Sequence, residues 1–236
     1  MGNRQPMPET LVILGACGSS RESYWVVKDD FPDTRMVFVE DISNLREVHF
    51  PDETVPVIKD WDFTEVRERL GGGDPDSFRQ YIVGMGSPRI KEMMTERARA
   101  AGLVPAPTMV STGALVRPDA RIGRGGIIYP TTIVMTNAQV GDHVVVFPRG
   151  LVGHDVEVGD FATIGAGAST AGHAIIGEGV CLGFATMVRQ RLTIAPWVET
   201  GMGAIIVKDI SDSGITVVGT PARRLQKHEP GSLYNP

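Results

Sequence analysis

Residues 151–176, LVGHDVEVGDFATIGAGASTAGHAII, carry an aliphatic side chain at every sixth position, Val152, Val158, Ile164 and Ile176, with Thr170 holding the same phase. The phase runs outward in both directions, through Val116, Ile122, Ile128, Val134, Val140 and Val146 on one side and Leu182, Val188, Ile194 and Ile206 on the other, with Thr200 as a second exception. A usually small residue follows each aliphatic four places later, as at Ala120, Gly126, Thr132, Ala138, Gly150, Ala162, Ala168 and Ala174. Glycine often follows one place later, as at Gly123, Gly141, Gly153, Gly159, Gly165, Gly177, Gly183 and Gly201. An amphipathic helix would repeat near 3.6 instead. One large and one small inward residue per six describe a flat side of a triangular coil, so three hexads make one turn of a parallel β-helix. Val116 to Ile206 spans 90 residues, which gives about five coils.

Before about Met109 the texture is different. Short apolar runs alternate with amphipathic stretches, the pattern of a small Rossmann-like βαβ sheet. Leu11–Leu14, Met36–Val39 and Tyr81–Val83 read as strands. A helix is expected from the glycine-rich turn through Val27, another over Asp62–Leu70, and a third from Ser87-Pro88 to Ala101 with Gly102 as its stop. The chain thus divides into an α/β domain over 1–108, a β-helix over 109–214, and a C-terminal strand and tail over 215–236.

Composition narrows the function. Lys and Arg number 23 against 28 Asp and Glu, a net charge of −5, so no overall basic field exists to hold nucleic acid. No apolar run reaches the roughly 18 residues of a spanning helix, and the polar N-terminus is not a signal sequence, so a cytoplasmic protein without membrane contact is expected. Cys17 and Cys181 form no CxxC pair, which disfavours a disulfide or zinc framework.

The hexad phase, together with Gly153-His154-Asp155, Gly159-Asp160-Phe161, Ala171-Gly172, Ile176-Gly177-Glu178, Gly201-Met202-Gly203-Ala204, Val207-Lys208-Asp209-Ile210 and Val218-Gly219-Thr220-Pro221-Ala222, resembles the bacterial sugar O- and N-acetyltransferases of the left-handed β-helix superfamily. Within it the chain is most similar to those acting on nucleotide-linked amino sugars or sialic acid. The resemblance implies a left hand for the coils, acetyl-CoA as co-substrate, no metal, and a homotrimer with acetyl-CoA between neighbouring chains. It implies His154 as general base, Asp155 as the acid that raises its basicity, and Gly172 as the oxyanion donor.

The coil geometry agrees with those roles. His154 lies two places after an inward valine and is expected to point outward, and residues one circuit apart stack about 4.8 Å from one another, so Gly172 lies beside His154. A base next to a backbone N–H is what acyl transfer needs. His173 falls beside Asp155 by the same stacking, which leaves that carboxylate open to two histidines. It stands where the family often has asparagine, and Thr163 stands where the family often has a histidine that touches the acyl-CoA. The resemblance implies Thr163, Gly172, His173, Phe184, Gly201 and Met202 as cofactor contacts, and Arg223, Arg224 and Lys227, just beyond the last coil, are candidates for the CoA phosphates. Val145, Phe147, Phe184 and Met187 include apolar positions for oligomerisation to cover.

In the first domain, Gly15-Ala16-Cys17-Gly18-Ser19 joins a strand to a helix, a setting for phosphate, although the GxGxxG dinucleotide pattern fails at Cys17 and Ser20. Glu40-Asp41 and Gly86 follow the next two strands at the same sheet edge, and the family uses these three places for the nucleotide of the sugar. Two other classes stay open beside N-acetyl transfer. One is O-acetyl transfer to sialic acid or another sugar hydroxyl. The other is a non-catalytic β-helix binding or assembly module. A zinc hydratase of the same fold is disfavoured, because His143, His154 and His173, the coil histidines, form no close HxxxH pair.

Overall fold

The structure is a computed structural model describing residues 7–40, 43–59, 61 and 79–225. Its first sheet is built on β1 (Thr10–Leu14), which is buried along its whole length. A strand covered on both faces reads as a continuous aliphatic run, and TLVIL is one. Around it lie β2 (Arg35–Val39), β3 (Glu47–His49), β4 (Thr54–Ile58), β5 (Gln80–Val83) and β6 (Val104–Pro105), in the order β3-β4-β2-β1-β5-β6. All pairings are parallel except the β3–β4 hairpin. The sequence reading misses β3, β4 and β6. Helix α1 (Gly18–Asp30) runs three residues past its expected end, and α2 (Pro88–Ala100) closes at Gly102, whose φ of +81 is a glycine conformation. The helix expected over Asp62–Leu70 lies outside the described residues. No described helix is long and apolar enough to cross a membrane.

From Met109 to Ile206, two-residue strands form three parallel faces. The first runs through Met109, Ile127, Val145, Thr163, Cys181 and Glu199, the second through Leu115, Ile133, Leu151, Ser169, Met187 and Ile205, and the third through Arg121, Gln139, Glu157, Ile175 and Thr193. Partners are three hexads apart, as in Ile127↔Val145 and Leu151↔Ser169. Five coils are complete and a sixth is partial. Residues of the predicted phase point inward and are buried from Val134 through Ile206. Thr170 fits because its hydroxyl bonds Leu151 O, and Thr200 because its hydroxyl bonds Thr186 Oγ1 at 2.7 Å. The glycines after the inward residues are needed for stacking: a Cβ on Gly165 would sit 2.5 Å from Leu182 O.

The three faces differ in chemistry. The first is covered by the N-terminal sheet and α2, and Met109, Ile127, Tyr129 and Val145 share the core of β1 and β2. Val145 is therefore no oligomerisation position, and Phe147 is half-buried against Tyr129, with ring centroids 5.1 Å apart. The second face stays open and largely apolar, with Leu115 48%, Ile133 39% and Met187 53% exposed. The third is mostly polar.

Lys91 of α2 ties the two parts together. It is fully buried, and its Nζ donates to His143 O at 3.1 Å, Ala162 O at 2.8 Å and Thr163 Oγ1 at 2.8 Å. The Thr163 hydroxyl in turn donates to Gly86 O at 2.7 Å. Burial pushes the Lys91 ammonium down to about 7. The folded state then binds fewer protons than the unfolded chain between about pH 7 and the ordinary lysine range. The cost of the buried charge is full below that window and fades as pH rises through it. The stability of the native chain relative to Lys91→Met is therefore expected to increase from pH 7 to pH 9.5 in urea unfolding. A constant or shrinking difference would refute the shift.

Candidate active site

The corner after Leu151–Val152 begins with Gly153, whose N–H donates to Thr170 O at 2.9 Å and whose Cβ, were there one, would lie 2.5 Å from that oxygen. His154 follows, exposed as expected. Asp155 then turns the chain with φ +56 and donates its N–H to Thr136 O of the preceding coil. His154 Nδ1 lies 2.8 Å from Asp155 Oδ2, and Asn137 Nδ2 donates to Asp155 Oδ1 at 2.7 Å. The Asn137 amide first, and His154 second, hold the Asp155 carboxyl below the usual carboxylate range. A carboxylate that accepts from Nδ1–H leaves the lone pair on Nε2.

Nε2 faces Gly172. A Cβ on residue 172 would stand 2.4 Å from both Cε1 and Nε2 of His154, so only glycine fits beside the ring. The Gly172 N–H donates to no acceptor among the described residues. The corner therefore offers a proton acceptor backed by a carboxylate, next to an unengaged backbone donor. His173 stands edge-on to His154, with centroids 5.2 Å apart, and its Nε2 is 3.8 Å from Asp155 Oδ2, beyond a hydrogen bond. His143 is elsewhere, buried between Tyr81 and Phe161, and burial pushes its pKa down. The sequence reading misses Asn137, although it stands one full circuit before Asp155.

The residues expected to bind a nucleotide meet at the carboxyl ends of adjacent strands, since Leu14 pairs with both Val39 and Val83. β1 lies between β2 and β5, a topological switch point. Gly15, with φ +89, makes the turn, and a Cβ there would meet Met85 and Ser20. Ala16 is buried, while Cys17 and Gly18 are exposed at the start of α1 and Ser19 is half-exposed. Cys17 Sγ lies 3.2 Å from Ser19 Oγ and 3.3 Å from Ser20 Oγ. Burial pushes that thiol up, but these hydrogen bonds outweigh it and leave it lowered. A Cβ on Gly86 would lie 3.3 Å from the Phe147 ring.

Two expected contacts are corrected. Glu40 is 8% exposed, and its carboxylate is taken by the Ser43 N–H and hydroxyl and by Lys59 Nζ, so it braces the turn instead of facing a base or ribose. Burial would raise its pKa, yet these partners leave it lowered. Asp41 lies outside the described residues. Thr163 is 3% exposed, with its hydroxyl held between Lys91 and Gly86, so it does not face a cofactor. The remaining cofactor candidates fall on two corners. Gly172 and His173 adjoin His154 between the second and third faces. Phe184, 50% exposed, and Gly201 and Met202, the latter 79% exposed, lie between the first and second. Arg224 pairs with Asp212 at 3.4 Å, Arg223 donates to Ala222 O, and Lys227 lies outside the described residues.

The chain matches no protein-family model and no curated protein sequence. Among solved structures it is similar to the acetyltransferase domain of PglB from Neisseria gonorrhoeae FA1090 in complex with acetyl coenzyme A, at 31% identity and TM-score 0.76 over 92% of this chain and 100% of that one. A variant of perosamine N-acetyltransferase from Caulobacter crescentus, in complex with CoA and GDP-perosamine, shares the fold at 22% identity and TM-score 0.77, over 94% of this chain and 100% of that one. WeeI from Acinetobacter baumannii AYE does so at 22% and 0.76, over 92% and 99%.

Gly172→Ala tests the packing of the corner directly. The new methyl is expected to drive the His154 ring away and break its bond to Asp155, changing the His154 Nδ1 signal in ¹⁵N NMR while the chain stays folded. An unchanged signal would show that the ring does not need the glycine.

Proposed function

The chain belongs to the bacterial sugar acetyltransferases of the left-handed β-helix superfamily, and from that membership and the geometry of its corner we infer that it moves the acetyl group of acetyl-CoA to an amino group of a nucleotide-linked sugar. The observation that carries this reading is the placement of His154 Nε2 where a Cβ on residue 172 would stand 2.4 Å from it, on a ring whose other nitrogen is held by Asp155.

His154 Nε2 takes the proton of the acceptor amine as the amine nitrogen bonds to the thioester carbonyl carbon. Asp155, ionised and anchored by Asn137, favours the imidazolium that forms. The Gly172 N–H donates to the oxygen that becomes negative in the tetrahedral intermediate. Collapse expels the CoA thiolate, and the imidazolium returns its proton to the sulfur. The products are an amide and free CoA.

The nucleotide belongs at the β1 switch point, around Gly15–Ser19 and Gly86, where the exposed residues Cys17 and Gly18 open α1. That place adjoins the corner between the first and second faces, because Tyr129 OH bonds Ser19 O at 3.1 Å and a Cβ on Gly86 would lie 3.3 Å from the Phe147 ring. His154 is at the far edge of the second face, roughly 15–20 Å away at about 3.3 Å per residue. Packing the open apolar faces of three chains against one another brings the nucleotide loops, Phe184 and Met202 of one chain to the His154 corner of the next. A homotrimer therefore both covers Leu115, Ile133 and Met187 and completes the site.

General-base assistance contributes on the order of 10² to 10⁴ in rate. Acetyl transfer from acetyl-CoA to a panel of UDP-, GDP- and dTDP-linked amino sugars is expected to fall by about that factor in His154→Ala, with acetyl-CoA affinity kept, and by less in Asp155→Asn. Turnover of His154→Ala within a few-fold of the native enzyme would remove the histidine from this role.

A further inference from the structure

We propose that His154, Asp155 and His173 form a binding site for a divalent transition metal of the zinc class, whose occupancy takes His154 out of service as a proton acceptor. A ligand atom from each of the three residues can be chosen so that all lie within 4.8 Å of one another. His154 Nδ1 and His173 Nε2 are 2.8 and 3.8 Å from the same atom, Asp155 Oδ2. Ligands at 2.0–2.2 Å from a tetrahedral zinc stand roughly 3.3–3.5 Å apart, a spacing between those two distances. Both histidine side chains are 48% exposed, so their rings are free to turn by the small amount needed. Asp155 is fixed: the Asn137 amide holds Oδ1 and leaves Oδ2 toward the two rings.

Two imidazoles and one carboxylate satisfy zinc, nickel or cobalt, with a position left for water, and do not suit magnesium, which asks for oxygen ligands. No HxxxH pattern marks the site, because its ligands do not share one segment. Two of them come from one coil and the third from the next, where His154 O accepts the His173 N–H. A metal on Nδ1 displaces the hydrogen bond to Asp155 and leaves the ring's one proton on Nε2. That nitrogen then has no lone pair for an incoming amine. The inhibitory half of the proposal rests on His154 being the base; the binding half does not.

Zinc titration of the untagged full chain, by calorimetry and without CoA, whose thiol itself takes zinc, reads the site. One equivalent is expected to bind, with no magnesium binding under the same conditions. His173→Asn, with its thermal midpoint checked against the native chain, is expected to weaken zinc at least about tenfold, while His49→Asn leaves it unchanged. Absence of zinc binding, or equal affinity in a folded His173→Asn, overturns the site and leaves the acetyl-transfer reading standing. Zinc is further expected to slow acetyl transfer by the native enzyme reversibly with chelator. Saturating zinc that binds and does not slow transfer overturns the inhibitory effect, and with it the assignment of His154 as base, while the metal site is kept.

Discussion

From Gly125 to Gly203 each corner of the coil passes through the left-handed region of backbone space, and it does so at the third residue after each inward residue. Asn137, Asp155, His173 and Arg191 all stand there, with φ between +54 and +62, and glycine takes the position at 125, 167, 179 and 203. Such a conformation costs an L residue roughly 1–2 kcal/mol. The corner residue donates its N–H to a carbonyl of the preceding coil, as Asp155 does to Thr136, His173 to His154 and Arg191 to Gly172, and that bond offsets the strain. The same repetition builds the site. His154 is thrown outward because it precedes a left-handed residue, Asp155 turns under it, and Gly172 arrives beside it one coil later.

The first face shows a second principle, burial of polar groups that are fully paired. Lys91 would be prohibitively placed in a dry seam without acceptors; His143 O, Ala162 O and Thr163 Oγ1 supply three, matching the three N–H groups of an ammonium. Through Thr163 the same network reaches the Gly86 carbonyl on the expected nucleotide loop. The loops of the sheet are thereby fixed relative to the coils.

Much of this is legible in the sequence because a β-helix converts linear spacing into spatial adjacency. The hexad phase locates the inward residues, and a step of three hexads places Gly172 beside His154 and His173 beside Asp155. The same step applied backward from Asp155 reaches Asn137. What the repeat cannot reveal is anything laid against it. Val145 and Thr163 occupy outward positions, so periodicity alone makes them accessible, whereas the sheet and α2 cover that face. Lys91 reads as an ordinary solvated lysine on a helix until its docking partner is known. Glu40, at the end of β2, looks free for a ribose because Ser43 and Lys59 meet it only through the fold. The β3–β4 hairpin is hidden by its polar edge, with only Val48 buried in β3.

The three-hexad circuit also governs which length changes the chain can absorb. A deletion of one hexad inside a strand-and-corner run would turn every later coil by one side, moving Gly172 off the His154 corner, setting second-face residues such as Met187 beneath the N-terminal sheet and polar third-face residues on the open apolar face. Removal of a whole circuit on either side of the pair 154 and 172 would shorten the prism yet return each side chain to its own face. Length variation in this chain is therefore quantised: single residues enter only where a corner bulges outward, and the prism itself grows or shrinks by complete turns.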